Sequence, residues 1–224
     1  MNNLRFEPMA DILQEGEKDG VTIKHLVVTE AAAKFEQLRA SFKGYTPVEP
    51  GTLTQLYIGN TMMMSDAPDE KRSNSGFMYR ATGDVLIAGL GLGMVLVPVL
   101  KKEDVTSVTV IELNRGVIDL VEPHIRKHVG KKNAAKLTVI HADALKWKPQ
   151  NGAKWDTIYF DIWPHITLDN LPDITVFKRR FAKRLKRKPS SYWMFAWQED
   201  ALRYQQQQNR RYGYEPGFRC GTFR

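Results

Sequence analysis

The stretch "VLIAGLGLGM" (Val85–Met94) decides how this chain is read. A continuous apolar run breaks into alternating glycines, Gly89, Gly91 and Gly93, followed by the helix-like "LGMVLVPVLKK". A strand that ends in a glycine turn brings bare backbone to a ligand beyond its carboxyl end. Working outward, the same rhythm recurs. "VTSVTVIE" reads as the next strand, and "NRGVIDLVEPHIRKHVG" as a helix with Asn114 as N-cap, Gly130 as stop and Val117, Val121, Ile125 and Val129 on one face. "KLTVIHAD", "WDTIYFD" and "SYWMFAW" supply three further strands. Apolar strands linked by helices predict an α/β fold with a Rossmann-like, doubly wound, mostly parallel sheet. Pro98 and Pro123 fall inside proposed helices, where each is expected to kink or shorten its element.

The first eighty residues differ in character. "GVTIKHLVV" predicts a strand, and "TEAAAKFEQLRASF" a helix capped by Thr29 with Ala33, Phe35 and Leu38 among its apolar contacts. "TLTQLYI" and "TMMMSD" flank Gly59-Asn60, a two-residue hairpin signal, and "APDEKRSNSG" reads as a polar loop. The expected division is a small N-terminal α+β lid or substrate subdomain over residues 1–80 and a ligand-binding Rossmann-like domain over 81–224. Met62, Met63 and Met64 suit hairpin packing better than a metal site.

Composition bounds the function. With 42% hydrophobic and 26% charged residues, the 224-residue chain is expected to fold. Its longest apolar run, Val85–Leu100, is too short and too broken by glycine and Pro98 to span a bilayer, and "MNNLRFEP" lacks a signal peptide's apolar stretch. One cysteine, Cys220, excludes an internal disulfide, so the expected location is cytoplasmic. The net charge of +8 gathers in "FKRRFAKRLKRKP" (Phe177–Pro189), read as an amphipathic helix with a solvated basic face. Nucleic acid is the less favoured partner for it, because no recognition motif accompanies the run. No membrane partner is expected, and a homodimer is left open. Without H-E-x-x-H, C-x-x-C, Walker A or G-x-S-x-G, metal, triphosphate and acyl-enzyme readings have no anchor.

The ligand is narrowed by acids at successive strand ends. Glu112 ends the second strand, where a carboxylate accepts hydrogen bonds from ribose hydroxyls. A dinucleotide fingerprint needs glycine at position 94, which is Met94. Asp143 follows the third strand and Asp161 the fourth. Several acids around one cleft repel a diphosphate but suit a cofactor bearing a sulfonium and an amino group. Each acid taken alone has a plainer reading as a helix cap.

At these residues the chain resembles the class I S-adenosylmethionine-dependent methyltransferase superfamily, over Gly83 to about Trp197. The resemblance implies that the turn containing Gly89, Leu90, Gly91 and Gly93 faces the cofactor's methionine part. It further implies that Glu112 and the adjoining Leu113 hold the ribose, and that Asp143-Ala144 lies near the adenine amino group. "YFDIWP" takes the place of the fourth motif, and Asp161-Ile162-Trp163-Pro164 is similar to the aspartate-x-aromatic-proline of guanidinoacetate-type N-methyltransferases. Asp161 is thus the expected catalytic base, with Trp163 and His165 facing the acceptor. The nucleic-acid amino-methyltransferase pattern of two prolines and an aromatic is not met.

A second resemblance is to spermidine synthases, which transfer an aminopropyl group from decarboxylated S-adenosylmethionine, and it lies in "LYIGNTMMMSDAPDE". Here Gly59-Asn60 stands for that family's Asp-Gly, Met63 lies near its glutamine, "RSNSGFM" replaces its Tyr-x-x-Glu-like stretch, and "IWP" supplies no second aspartate after Asp161. The leading expectation is therefore methylation of a nitrogen on a small-molecule or peptidic acceptor. Aminopropyl transfer is its rival, and a non-catalytic protein binding an adenosyl ligand or nucleic acid is the alternative of another class.

Overall fold

The computed structural model describes residues 4–43, 46–187 and 193–212, so Cys220 and the end of the basic run at Lys188 and Pro189 lie outside the described residues. After a 3-10 turn (Met9–Asp11) the chain forms β1 (Gly16–Lys18), β2 (Val21–Val28), α1 (Glu30–Lys43), β3 (Gly51–Ile58), β4 (Thr61–Ser65) and α2 (Pro68–Arg80). The strands make one antiparallel sheet in chain order. Asp19-Gly20 closes β1 onto β2 with both residues at positive φ, a hairpin signal that sequence reading passed over. Gly59-Asn60 closes β3 onto β4 as expected.

Two N-terminal expectations are corrected. Thr29 does cap α1, its Oγ1 accepting the Ala32 N–H at 3.3 Å, but the buried side chains are Ala33 and Ala40, while Phe35 and Leu38 are 61% and 57% exposed. The small alanine face is the one that fits inward. The segment read as a polar loop is helix α2. Pro68 opens it at N1, Asp69 and Glu70 favour its positive end, and Asn74, Phe77 and Met78 are buried along one side.

From Gly83 the chain alternates as expected: β5 (Gly83–Ala88), α3 (Leu96–Lys101), β6 (Val105–Glu112), α4 (Arg115–Ala134), β7 (Leu137–His141), β8 (Thr157–Phe160), α5 (Asn170–Ala182), β9 (Met194–Ala196) and α6 (Glu199–Tyr212). All pairings in the five-stranded sheet are parallel, in the order β7-β6-β5-β8-β9. This is a Rossmann-like, doubly wound parallel sheet. Successive residues of β5 serve opposite faces. Val85 and Ile87 join a core with α3, α4 and the N-terminal Met9, Ile23 and Leu56; Leu86 and Ala88 join a second with Phe160, Phe177 and Phe181.

Pro98 shortens its helix, which starts only at Leu96, whereas α4 runs through Pro123 and breaks at Gly130. The basic helix is displaced from its expected span: it ends at Ala182, and Leu185 leaves it to bridge Trp155. Its cations are partly engaged in holding the domain together. Arg180 donates to the carbonyls of Ala144, Leu145 and Trp147, and Lys178 pairs with Glu199 at 2.6 Å. Among the described residues no helix is long and apolar enough to cross a membrane.

Candidate active site

In this strand order the chain builds outward from β5 through β6 to β7, then crosses back to place β8 and β9 on the other side of β5. The crevice beyond the carboxyl ends of those strands is where an open α/β sheet takes a ligand. A cavity of about 390 Å³ lies there, walled by the turn after β5, the ends of β6, β7 and β8, helix α2 and the β3–β4 hairpin.

The turn is shaped by its neighbours. Gly89 has φ of 100°, and a Cβ added to it would stand 2.0 Å from the backbone oxygen of Asp161, so only glycine lets β5 and β8 end side by side. Hydrogen bonds fix this register: the Asp161 N–H donates to the Ala88 carbonyl and the Gly89 N–H to the Ile111 carbonyl, both at 2.8 Å. Gly91 lies under the Met64 sulfur, whose Sδ accepts the Leu92 N–H at 3.2 Å. The N-terminal hairpin thus rests directly on the glycine turn. Gly93, expected to face the cofactor, does not line the cavity; a Cβ there would meet Ile125 and Val121, so this glycine serves the packing of α4.

Glu112 is 9% exposed and organises the neighbouring loops. Its Oε2 accepts the Leu90 N–H at 2.8 Å and its Oε1 the Asn114 N–H at 2.7 Å. A carboxylate has about four lone-pair positions, so two remain for hydroxyls presented from the cavity. Leu113 and Ala144 line the same side, Leu113 at the exposed rim and Ala144 buried. Asp143 lines it too, and its Oδ1 accepts the Leu145 N–H at 2.8 Å. Glu112→Gln is expected to weaken adenosyl-ligand binding roughly 10- to 100-fold, since one charge-assisted acceptor is lost and an amide is forced against a backbone N–H. Isothermal titration with 5′-methylthioadenosine measures it.

The opposite wall carries a second acidic pair. Asp161 follows β8, and burial, with the Glu70 charge adding to it, pushes its carboxyl up to about 7. Glu70 projects from the first turn of α2, and burial raises it to about 7 as well, opposed by a hydrogen bond from the Ser65 backbone and reinforced by the Asp66 charge. Below them Tyr159 donates its O–H to Asn74 Oδ1 at 2.5 Å and stacks on Phe77, and burial holds the phenol protonated. Trp163 lines the cavity, and its indole N–H is buried with no partner among the described residues. Trp197, not anticipated, lines it too, its own N–H donated to Ser73 Oγ at 3.0 Å.

His165 is the expected acceptor residue that the structure does not bring to the cavity. After Pro164 the chain turns outward; His165 is exposed, and its carbonyl accepts from Asn170 Nδ2 at 2.7 Å at the start of α5. Glu70 is the residue that sequence reading missed. Its signal was present in "APDE", a proline followed by two acids, which opens a helix as readily as it makes a turn.

Comparison with known proteins gives a family match over residues 72–211, to a family described as Spermine/spermidine synthase domain. A curated relative, the polyamine aminopropyltransferase of Leptospira interrogans serogroup Icterohaemorrhagiae serovar copenhageni (strain Fiocruz L1-130), is 31% identical over 80 residues, which is 34% of this chain and 16% of the relative. Polyamine aminopropyltransferase 1 of Streptomyces coelicolor (strain ATCC BAA-471 / A3(2) / M145) is 28% identical over 114 residues, 48% of this chain and 21% of the relative. The chain therefore spans only a minor part of the length of the curated relatives it matches. Solved structures that resemble it include the methyltransferase domain of bacterial CtHen1, with 12% identity and a TM-score of 0.40 over 52% of this chain and 61% of that one. A dimethyladenosine transferase from Plasmodium falciparum gives 20% identity and a TM-score of 0.34 over 46% and 36%.

Proposed function

This chain belongs to the spermine/spermidine synthase domain family, and from that premise we propose that it moves an aminopropyl group from decarboxylated S-adenosylmethionine to an amine. The observation that carries the reading is the charge of the cavity wall. Glu70, Glu112, Asp143 and Asp161 line it, and among its described lining residues there is no lysine, arginine or histidine. S-adenosylmethionine brings a carboxylate beside its sulfonium and ammonium groups, and that carboxylate meets no cation here. The decarboxylated donor has lost its only negative group, and the charged side chains among the described lining residues are all acids, Asp143 among them already paired with Lys146 at 3.3 Å. The methyl-transfer expectation gives way to its rival on this ground, together with the family.

The residues present fit such a donor. The glycine turn, held against the end of β8 by the Cβ-free face of Gly89, lines the cavity with Gly89, Leu90 and Gly91, and Glu112 keeps lone pairs for a ribose. When bound, the donor supplies an electrophilic carbon beside its sulfonium: a nitrogen–carbon bond forms, the carbon–sulfur bond breaks with its electron pair passing to sulfur, and methylthioadenosine leaves. Asp161 orients the attacking nitrogen and takes the proton it sheds. Its elevated proton affinity makes it a better base than an ordinary aspartate. Trp163 and the hairpin methionines keep water from the reacting atoms.

The test is to supply the protein with both donors and a mixture of amines and weigh the products. The reading expects a three-carbon amine added from the decarboxylated donor. A single methyl added from S-adenosylmethionine would restore the methyltransferase reading.

A further inference from the structure

Resting on that transfer reading, we infer that the acceptor has one cationic end and an apolar body, its ammonium held between Glu70 and Asp161 and its body lying against the β3–β4 hairpin. The four lining acids fall into two groups by position. Glu112 and Asp143 follow β6 and β7, beside the glycine turn, and serve the donor. Glu70 and Asp161 come from α2 and from the end of β8, on the side that the hairpin covers.

Beyond that pair the hairpin side of the cavity holds no further acid among its described lining residues. Its walls are Leu56, Ile58, Met63, Met64 and Trp197, which pack in one apolar cluster. Of the polar groups nearby, the Tyr159 hydroxyl is paired with Asn74, the Trp197 indole with Ser73 and both oxygens of Asp66 with the backbone of Met9 and Thr54, while the unpartnered Trp163 indole is a donor and offers an ammonium no acceptor. A second ammonium directed there would be stripped of water with no counter-charge, which costs more than the sheath of methionine and tryptophan returns. An alkyl or aryl body gains from the same surface. The position after Asp161 agrees, since Ile162, Trp163 and Pro164 supply no charge. Glu70 lies two residues before the stretch that matches the family, residues 72–211.

Calorimetric titration of n-hexylamine and of 1,4-diaminobutane, each with and without saturating 5′-methylthioadenosine, reads this directly. Hexylamine is expected to bind at least about tenfold more tightly than diaminobutane. Glu70→Gln is expected to weaken hexylamine binding about tenfold or more while methylthioadenosine affinity stays within about threefold, and Glu70→Asp to recover part of the loss. Diaminobutane binding as tightly as hexylamine, no amine binding at all, or an amine affinity indifferent to Glu70→Gln would each overturn the inference. Its failure is distinct from failure of the transfer reading: the amine titration needs no turnover, and transfer to a diamine would sink the inference while sparing the reaction.

Discussion

Asp161→Asn is expected to slow transfer by a factor of about 10²–10⁴ while leaving 5′-methylthioadenosine affinity within about threefold of the parent. The substitution keeps the side chain's shape and removes its ability to take a proton. The backbone of Asp161, which holds the end of β8 against Ala88, is untouched, so the donor side keeps its form. The parent's rate should rise as pH climbs through about 7, where the Asp161 carboxyl gives up its proton, and the variant should lack that limb. Stability moves the other way. A carboxyl raised from 3.8 to about 7 on folding favours the folded state most fully below its ordinary value, and that contribution is lost as pH rises through about 7. Asp161→Asn escapes the loss, and above pH 7 it should melt roughly 4–8 °C higher, corresponding to about 2 kcal/mol once screening by cavity water is allowed for. Near pH 4 parent and variant should melt together. Steady-state rates and melting curves across this range check both halves; a variant that turns over normally would remove Asp161 from the chemistry.

Gly89→Ala should be the most damaging single-methyl change in the parallel-sheet half of the chain, costing at least about 3 kcal/mol of stability. Two independent penalties fall on one atom. The backbone sits at φ of 100°, where a Cβ is strained, and that Cβ would lie 2.0 Å from the Asp161 carbonyl oxygen. Relief requires either β5 or β8 to withdraw, and these strands carry the glycine turn and the proposed base. Whatever protein remains folded should bind methylthioadenosine poorly. Urea unfolding gives the first quantity and calorimetry the second; an alanine variant with parental values for both would mean that the ends of β5 and β8 do not need glycine at position 89.

The parallel sheet was legible because its signals are local and reinforce one another. Val85–Ala88 is apolar on both faces as a central strand must be, Asn114 caps the helix it was expected to cap, and Gly130 breaks it. The acids at strand ends followed from order alone, and Glu112, Asp143 and Asp161 do line one cavity. What escaped depended on neighbours distant in sequence. Whether Phe35 or Ala33 faces inward is decided by the room beside α1, which no periodicity records. Ser73, Asn74 and Ser75 looked like loop residues, yet within α2 Ser73 and Asn74 donate back to the Glu70 carbonyl and Ser75 to that of Arg72, so that polarity is absorbed by the helix itself. With that helix went Glu70. His165 failed for the opposite reason: adjacency in sequence to Asp161 implied adjacency in space, and Pro164 sends the chain away.

The central claim is that the cavity is an acidic berth for a donor without a carboxylate. Binding of S-adenosylmethionine and of its decarboxylated form, measured side by side on the same protein at pH 7.5 and low salt, tests it most directly. The decarboxylated donor should bind more tightly by a factor of about 10–100, the span expected when a buried carboxylate finds no partner. Equal affinity, or a preference for S-adenosylmethionine itself, would contradict the account.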